Sequence, residues 1–334
     1  MSFRTILLLL GLCGLLLGFY TWATGHKELR KTGIVAFYNV ENLFDTLDDP
    51  HKSDNEFLPS SALKWNGERY ANKQKHLAQV LTALEEEGMV MIGLAEVEHK
   101  QVVTDLLNNS SLSGKHYGCI HEESKDPRGI DVALIHSPLF KPLYHKLINP
   151  CEEKECLETR GILAVKGLLQ GDTVWVFVNH WPSRRTGVES SQEKRLLLSR
   201  VLRHAVDSVM LKSPSSKIIV MGDFNDTPQD LSIRSLLKDS PLFDPFDAMK
   251  TVEVGSLKYK KDWFVYDQII LSLNWKQDKK GSKLLYQVNS AEVYHPLYLH
   301  YKEDAKNGPF RSYKGKTYYG GYSDHFPVCI GYTY

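Results

Sequence analysis

Lys217-Ile218-Ile219-Val220-Met221-Gly222-Asp223-Phe224-Asn225 decides the reading of this chain, because an apolar run of strand length stops on a turn that carries a carboxylate and an amide. Positions two apart in extended chain share a face, so Asp223 and Asn225 point the same way. Far downstream, Ser323-Asp324-His325-Phe326-Pro327 sets an acid beside a histidine at the last apolar strand. Neighbours on a strand face opposite sides, so one can hold a cation while the other reaches a phosphate. Two acidic strand ends in one fold suit a cation site and phosphodiester hydrolysis.

Other strand ends repeat the pattern. In Phe37-Tyr38-Asn39-Val40-Glu41-Asn42 the polar Asn39 and Glu41 alternate with apolar residues, which predicts that both lie on one face. Glu96 closes Val90-Met91-Ile92-Gly93-Leu94-Ala95, and a carboxylate there is costly to bury unless paired or bound to a cation. His180 ends Thr173–Asn179 and precedes Trp181-Pro182-Ser183-Arg184-Arg185, whose guanidinium groups offer forked donors to an anion. Asp267, in Phe264-Val265-Tyr266-Asp267-Gln268-Ile269-Ile270-Leu271, is an acid in an apolar strand, and His325 is its expected partner.

Strands are expected at 34–40, 89–97, 131–136, 162–169, 173–180, 217–225, 262–272 and 325–332. Helices are expected at 69–86, with Leu77, Val80, Leu81 and Leu84 on one face, and at 189–211, opening on Ser190-Ser191-Gln192-Glu193 as a capping box. Many strands lie too close in sequence for helical crossovers, so pairing is largely antiparallel, in two packed sheets with helices outside. No repeat or linker divides the chain, which gives one catalytic domain over 30–334. Two loops stand out: the acidic 48–65, and 294–322 with seven tyrosines among Lys302, Lys306, Arg311, Lys314 and Lys316. Aromatic and basic groups interleaved in this way can stack bases and neutralise phosphates, or pack over a sheet edge.

In this order Asn39, Glu41, Glu96, His180, Asp223, Asn225, Asp267, Asp324 and His325 resemble the endonuclease/exonuclease/phosphatase superfamily of pancreatic deoxyribonuclease, abasic-site endonucleases, sphingomyelinases and inositol-phosphate phosphatases. The likeness spans nearly the whole chain after its first residues. It is nearest to an exported bacterial branch through Phe37–Asp45 and Arg128-Gly129-Ile130-Asp131-Val132-Ala133. The resemblance implies a four-layered α/β sandwich with its active site at one end of both sheets. It implies Mg²⁺, with Mn²⁺ as a substitute, held by Glu96 with Asn39, Glu41 and Asp324 around it; oxygen donors suit this ion. Asp223 and the Asp267-oriented His325 would prepare the attacking water, while Asn225 and His180 would hold phosphoryl oxygens. Arg128, Arg184 and Arg185 are expected to contact substrate phosphate.

The 334 residues carry 41 Lys+Arg against 40 Asp+Glu, so nothing attracts polyanions globally and any nucleic-acid contact is local. Arg4 followed by the uncharged 6–23 reads as a targeting segment over 1–25, either cleaved near Thr21-Trp22-Ala23 or kept as an anchor that would tether the chain to a membrane. Export to the periplasm or beyond follows, and in an oxidising compartment Cys151 and Cys156 can close a small loop. Cys119 and Cys329 read as buried thiols. The function expected is an exported, monomeric endonuclease; the alternative is a phosphatase or phospholipase-type phosphodiesterase on inositol phosphates or sphingolipids, and a third reading is a binding module that kept the fold. Ser323, Asp324 and His325 are chain neighbours that cannot converge as a serine-hydrolase triad, and no paired-histidine helix motif of a zinc peptidase is present.

Overall fold

The central strand sequences are apolar on both faces, the composition of strands covered on both sides. The computed structural model describes residues 31–334 apart from 110–111, 153–154, 185–186, 250–252, 278–282 and 302–307; the expected leader and Arg185 lie outside the described residues. β1 (Thr32–Leu43), β2 (Met89–Val97), β3 (Gly118–His121) and β4 (Asp131–His136) begin a first sheet. β5 (Phe140–Ile148), β6 (Ile162–Leu169), β7 (Asp172–His180), β8 (Lys217–Asp223), β9 (Leu242–Phe243) and β10 (Asp267–Ser272) make a second. β11 (Leu285–Tyr286), β12 (Glu292–Val293) and β13 (Val328–Thr333) return to the first. The orders are β11-β13-β1-β2-β4-β3, with β12 also on β13, and β9-β10-β8-β7-β6-β5.

Each sheet holds one parallel pair, β1 with β2 and β7 with β8, and the other ladders are antiparallel. A parallel pair needs a long crossover. α1 (Gly67–Glu86) supplies the first, before the short α2 (Lys100–Leu107); α3 (Val188–Lys212) supplies the second, before α4 (Leu231–Leu237). Val35, Phe37, Met91, Val176, Val178, Ile219, Met221 and Ile269 fill the space between the sheets. Gly93 permits the closest approach there, since a Cβ would stand 2.5 Å from Met221 Sδ. The intervening positions Tyr38, Ile92 and Leu94 pack under α1 and α2, and Phe177, Ile218 and Val220 under α3 and α4. Helix, sheet, sheet, helix is therefore the layer order.

The expected strands at 89–97, 131–136 and 162–169 form with those limits. Four local expectations are corrected. The capping box does not form, because α3 starts at Val188 on Gly187 and Ser191 Oγ donates to the Gly187 carbonyl. The run 262–272 splits into a hairpin strand at Asp262–Phe264 and β10. Residues 223–225 leave β8 at Asp223 for a turn, and the last strand begins at Val328 rather than His325. β5 was not foreseen because it is a solvated edge strand with Pro142 at a bulge, where alternation is lost. Cys151 and Cys156 are disulfide-bonded across a tiny hairpin.

Candidate active site

Register brings the polar strand ends together. Asp223 pairs with His180 on one side and Asp267 on the other, so three functional groups lie abreast at the end of the second sheet. Asn39 on β1 lies opposite Ala95, and Glu96 follows where the ladder bulges. Glu96 takes φ 64°, and Glu41, Asn42 and Asn225 take φ 50°, 53° and 51°. Left-handed backbone costs a side-chain-bearing residue about 1–3 kcal/mol, and here it re-aims side chains at strand ends.

Asn39 Nδ2 donates to Asp223 Oδ2 at 3.0 Å and to Glu96 Oε1 at 3.3 Å, tying the two sheets at this end. Glu96 Oε2 accepts the Asn42 N–H at 3.0 Å. Asp223 Oδ2 lies 3.7 Å from His180 Nε2 and 3.9 Å from His325 Nε2, and the opposite ring nitrogen of His325 meets Asp267 Oδ2 at 2.7 Å. Ser323 Oγ donates to the Asn39 carbonyl and accepts the His325 N–H, which fixes the Asp324-His325 step on β1. Asn225 N–H donates to Asp223 Oδ1, and its side-chain amide to the Trp181 carbonyl.

Electrostatics separate these groups. Burial opposes charge on His325, but the Asp267 carboxylate and then Asp223 raise its pKa well above the usual imidazole value. Burial, followed by the Arg160 and Arg128 charges, lowers His180 well below it, leaving a neutral ring. Burial and then Asp267 raise the Asp223 carboxyl to about 7.

A cleft of about 480 Å³ opens beside these residues, lined by Glu96, Asp324 and Arg311 with Phe57, Tyr313 and Lys316. The all-oxygen pair Glu96 and Asp324 on this cleft fits a hard divalent cation.

Some expected residues serve other roles. Glu41 leaves the strand alternation, and its oxygens accept the Ser312 N–H at 2.6 Å and the Tyr313 N–H at 3.3 Å, with Lys73 at 3.9 Å and Arg311 at 3.7 Å. It borders the cleft while anchoring the 311–313 segment. Asp324 keeps its place on the cleft beside Glu96 and is ion-paired there with Arg311. Arg184 donates to the Asn225 carbonyl and pairs with Asp226 and Asp230, so these donors fix the turn after β8. Arg128 is half exposed and held by Asp126.

Three residues were missed. Arg160 is buried and donates to the His180 and Trp181 carbonyls while pairing with Asp126. Lys73, also buried, donates to Ser312 Oγ and the Tyr322 carbonyl. A signal existed: Lys73 stands four residues before Leu77, on the apolar stripe of α1. Arg311 was visible only as one basic residue of a long loop.

Residues 34–333 match the model of the Endonuclease/Exonuclease/phosphatase family. The chain belongs to that family. It is thereby a phosphoester hydrolase of a divalent-metal-dependent class. A search of curated proteins by sequence finds no match. Among solved structures, an endonuclease/exonuclease/phosphatase family protein from Bacteroides thetaiotaomicron is similar at TM-score 0.58 and 14% identity, over 91% of this chain and 98% of that one. TDP2 from C. elegans is similar at 0.56 and 13%, over 95% and 80%. A B. thetaiotaomicron mannosyl-6-phosphatase is similar at 0.58 and 14%, over 90% and 100%. At these identities the likeness is one of fold, and it agrees with the observed sandwich.

Proposed function

We propose that the chain is an exported nuclease that hydrolyses a phosphodiester by metal-assisted attack of water. The observation that carries the reading is the meeting of Glu96, Asp223, His180 and the Asp267–His325 pair at one end of the two sheets. A hard divalent cation, Mg²⁺ in our reading, supplies polarisation of a phosphoryl oxygen and neutralises charge on the leaving oxygen. Glu96 and Asp324 would hold it, with Asn39 orienting Glu96. Asp223, with a carboxyl near neutrality and Nδ2 of Asn39 on its Oδ2, holds the water and takes its proton. His325, kept charged by Asp267, and the neutral His180 donate to phosphoryl oxygens as charge develops. Asn225 keeps Asp223 in place through its backbone N–H.

The nucleic-acid reading draws support from the cleft wall, where Phe57 and Tyr313 stand with Lys316, aromatic and basic groups of the kind that stack a base and meet its phosphate. A phosphomonoester is the second reading, favoured by the cleft's modest volume, which suits one small phosphorylated unit. Export rests on the N-terminal segment, and action as a monomer on the absence of need for a second chain in the constellation. The deciding experiment incubates the protein with Mg²⁺ or Mn²⁺ and supercoiled DNA, single-stranded DNA, RNA, inositol phosphates, sphingomyelin and sugar phosphates, beside Asp223→Ala and His325→Ala. Cleaved nucleic acid that both variants leave intact is expected; intact nucleic acid with a hydrolysed monoester would replace the first reading by the second.

A further inference from the structure

The first sheet carries a second group of ligand-type side chains that the hydrolytic site leaves unused. β3 ends at His121, which pairs with Ala133, and Asp131 lies two residues earlier on the same face of β4. Asp131 is opposite Val97, one residue beyond Glu96, so this group borders the catalytic end. The His121 and Asp131 side chains are only 3% and 1% exposed. Asp131 Oδ1 accepts the Ser124 N–H at 3.0 Å. Its Oδ2 lies 3.4 Å from His121 Nε2, and neither of those two buried atoms has a hydrogen-bond partner. Glu123 Oε1 lies 4.0 Å from Nδ1 of the same ring, and one ligand atom from each of His121, Glu123 and Asp131 lies within 4.8 Å of the others. The nearby Lys52 ammonium donates to the Ser124 and Asp126 carbonyls.

Leaving a buried donor or acceptor unsatisfied costs about 1–3 kcal/mol, so two such atoms facing each other point to something between them. Two ligands about 2.1 Å from a tetrahedral ion stand about 3.4 Å apart, the separation seen between Nε2 and Oδ2. The Asp45–Glu98–His99 group differs. There His99 Nδ1 accepts the Gln101 N–H, so the neutral ring carries its proton on Nε2, where it faces Asp45 and Glu98 as a satisfied donor. We propose that His121, Asp131 and Glu123 bind a divalent cation of the zinc type, separate from the catalytic ion, with solvent completing its shell on the Glu123 side. Imidazole together with carboxylate suits Zn²⁺ better than Mg²⁺ or Ca²⁺. The ion would clamp the 122–130 loop, whose Asp126 holds Arg160 and through it the His180 and Trp181 carbonyls.

The full chain, stripped with chelator, is incubated with Zn²⁺, desalted into millimolar Mg²⁺ and analysed for bound metal, in parallel with Glu96→Gln, His121→Gln and Glu123→Gln. Wild type and Glu96→Gln are expected to retain one zinc per chain, His121→Gln none, and Glu123→Gln to bind at least about tenfold more weakly. Glu123 is exposed, so that variant folds, and the rise in its thermal midpoint on adding Zn²⁺ should shrink. Retention of zinc by neither wild type nor Glu96→Gln overturns the proposal. Equal retention by all four proteins does so too, as does loss in Glu96→Gln, which would place the ion in the catalytic cleft.

Discussion

Replacing Lys73 with methionine tests how the 311–324 segment is held over the active site. Methionine fits the apolar stripe of α1 in volume, so the change removes mainly a charge. Two charge-assisted hydrogen bonds are lost, to Ser312 Oγ at 2.7 Å and the Tyr322 carbonyl at 2.6 Å, and the buried Glu41 loses one of its two cations. Removing one partner of a buried pair costs about 3–5 kcal/mol. Because Glu41 keeps Arg311 and two backbone N–H donors, the low end, about 3 kcal/mol, applies. Urea unfolding in EDTA, followed by tryptophan fluorescence, measures the loss without a metal contribution. The Glu41→Gln/Lys73→Met double variant should recover about 1–2 kcal/mol of it, since no carboxylate is then stranded. A single-variant loss below about 1 kcal/mol, or strict additivity in the cycle, would refute the reasoning.

Asp267→Asn keeps the shape of the His325 partner but removes its charge, so kcat should fall about 10²–10⁴-fold with KM nearly unchanged; a fall under threefold in steady-state assays would separate the pair from chemistry. Arg160→Met removes the buried one of the two guanidinium groups on Asp126, leaving it Arg128, and frees two buried carbonyls, so chemical denaturation should show a loss of about 3 kcal/mol; a loss within experimental scatter would contradict the buttress. Asp244 caps the short turn at Pro245–Ala248, with Oδ2 buried and unpartnered, and burial raises its carboxyl from 3.8 to about 7. The folded state then binds its proton more tightly than the unfolded chain, so this group's contribution is full below pH 4 and lost as pH rises through 7. Asp244→Asn should remove that slope and gain about 2 kcal/mol over wild type at pH 8, after discounting for the partly exposed side chain; parallel pH–stability curves would count against it.

Strand ends were legible because burying a carboxylate or histidine at the end of an apolar run demands a partner. Glu96, Asp223, Asp267 and His325 were found for that reason, although chain spacing alone could not show that Asp223 pairs with both His180 and Asp267. Helices α1 and α3 stood out through long apolar stripes, whereas α2 and α4, at eight and seven residues, give too few turns for a period to register. What the sequence hid was where alternation fails. The left-handed backbone at Glu41 and Asn42 turns the Glu41 carboxylate onto Ser312 and Tyr313, more than 270 residues away. Arg184 looked like a free anion donor beside His180, yet Asp226 and Asp230, in a turn brought close only by the β7–β8 ladder, claim it.

Diffraction from crystals soaked with Mn²⁺ and inorganic phosphate, recorded at the manganese edge, tests the central claim most directly. The account predicts one anomalous peak against Glu96 and Asp324, with the phosphate between it and the rings of His180 and His325. A cleft with no peak, or a phosphate bound away from those two rings, would contradict it.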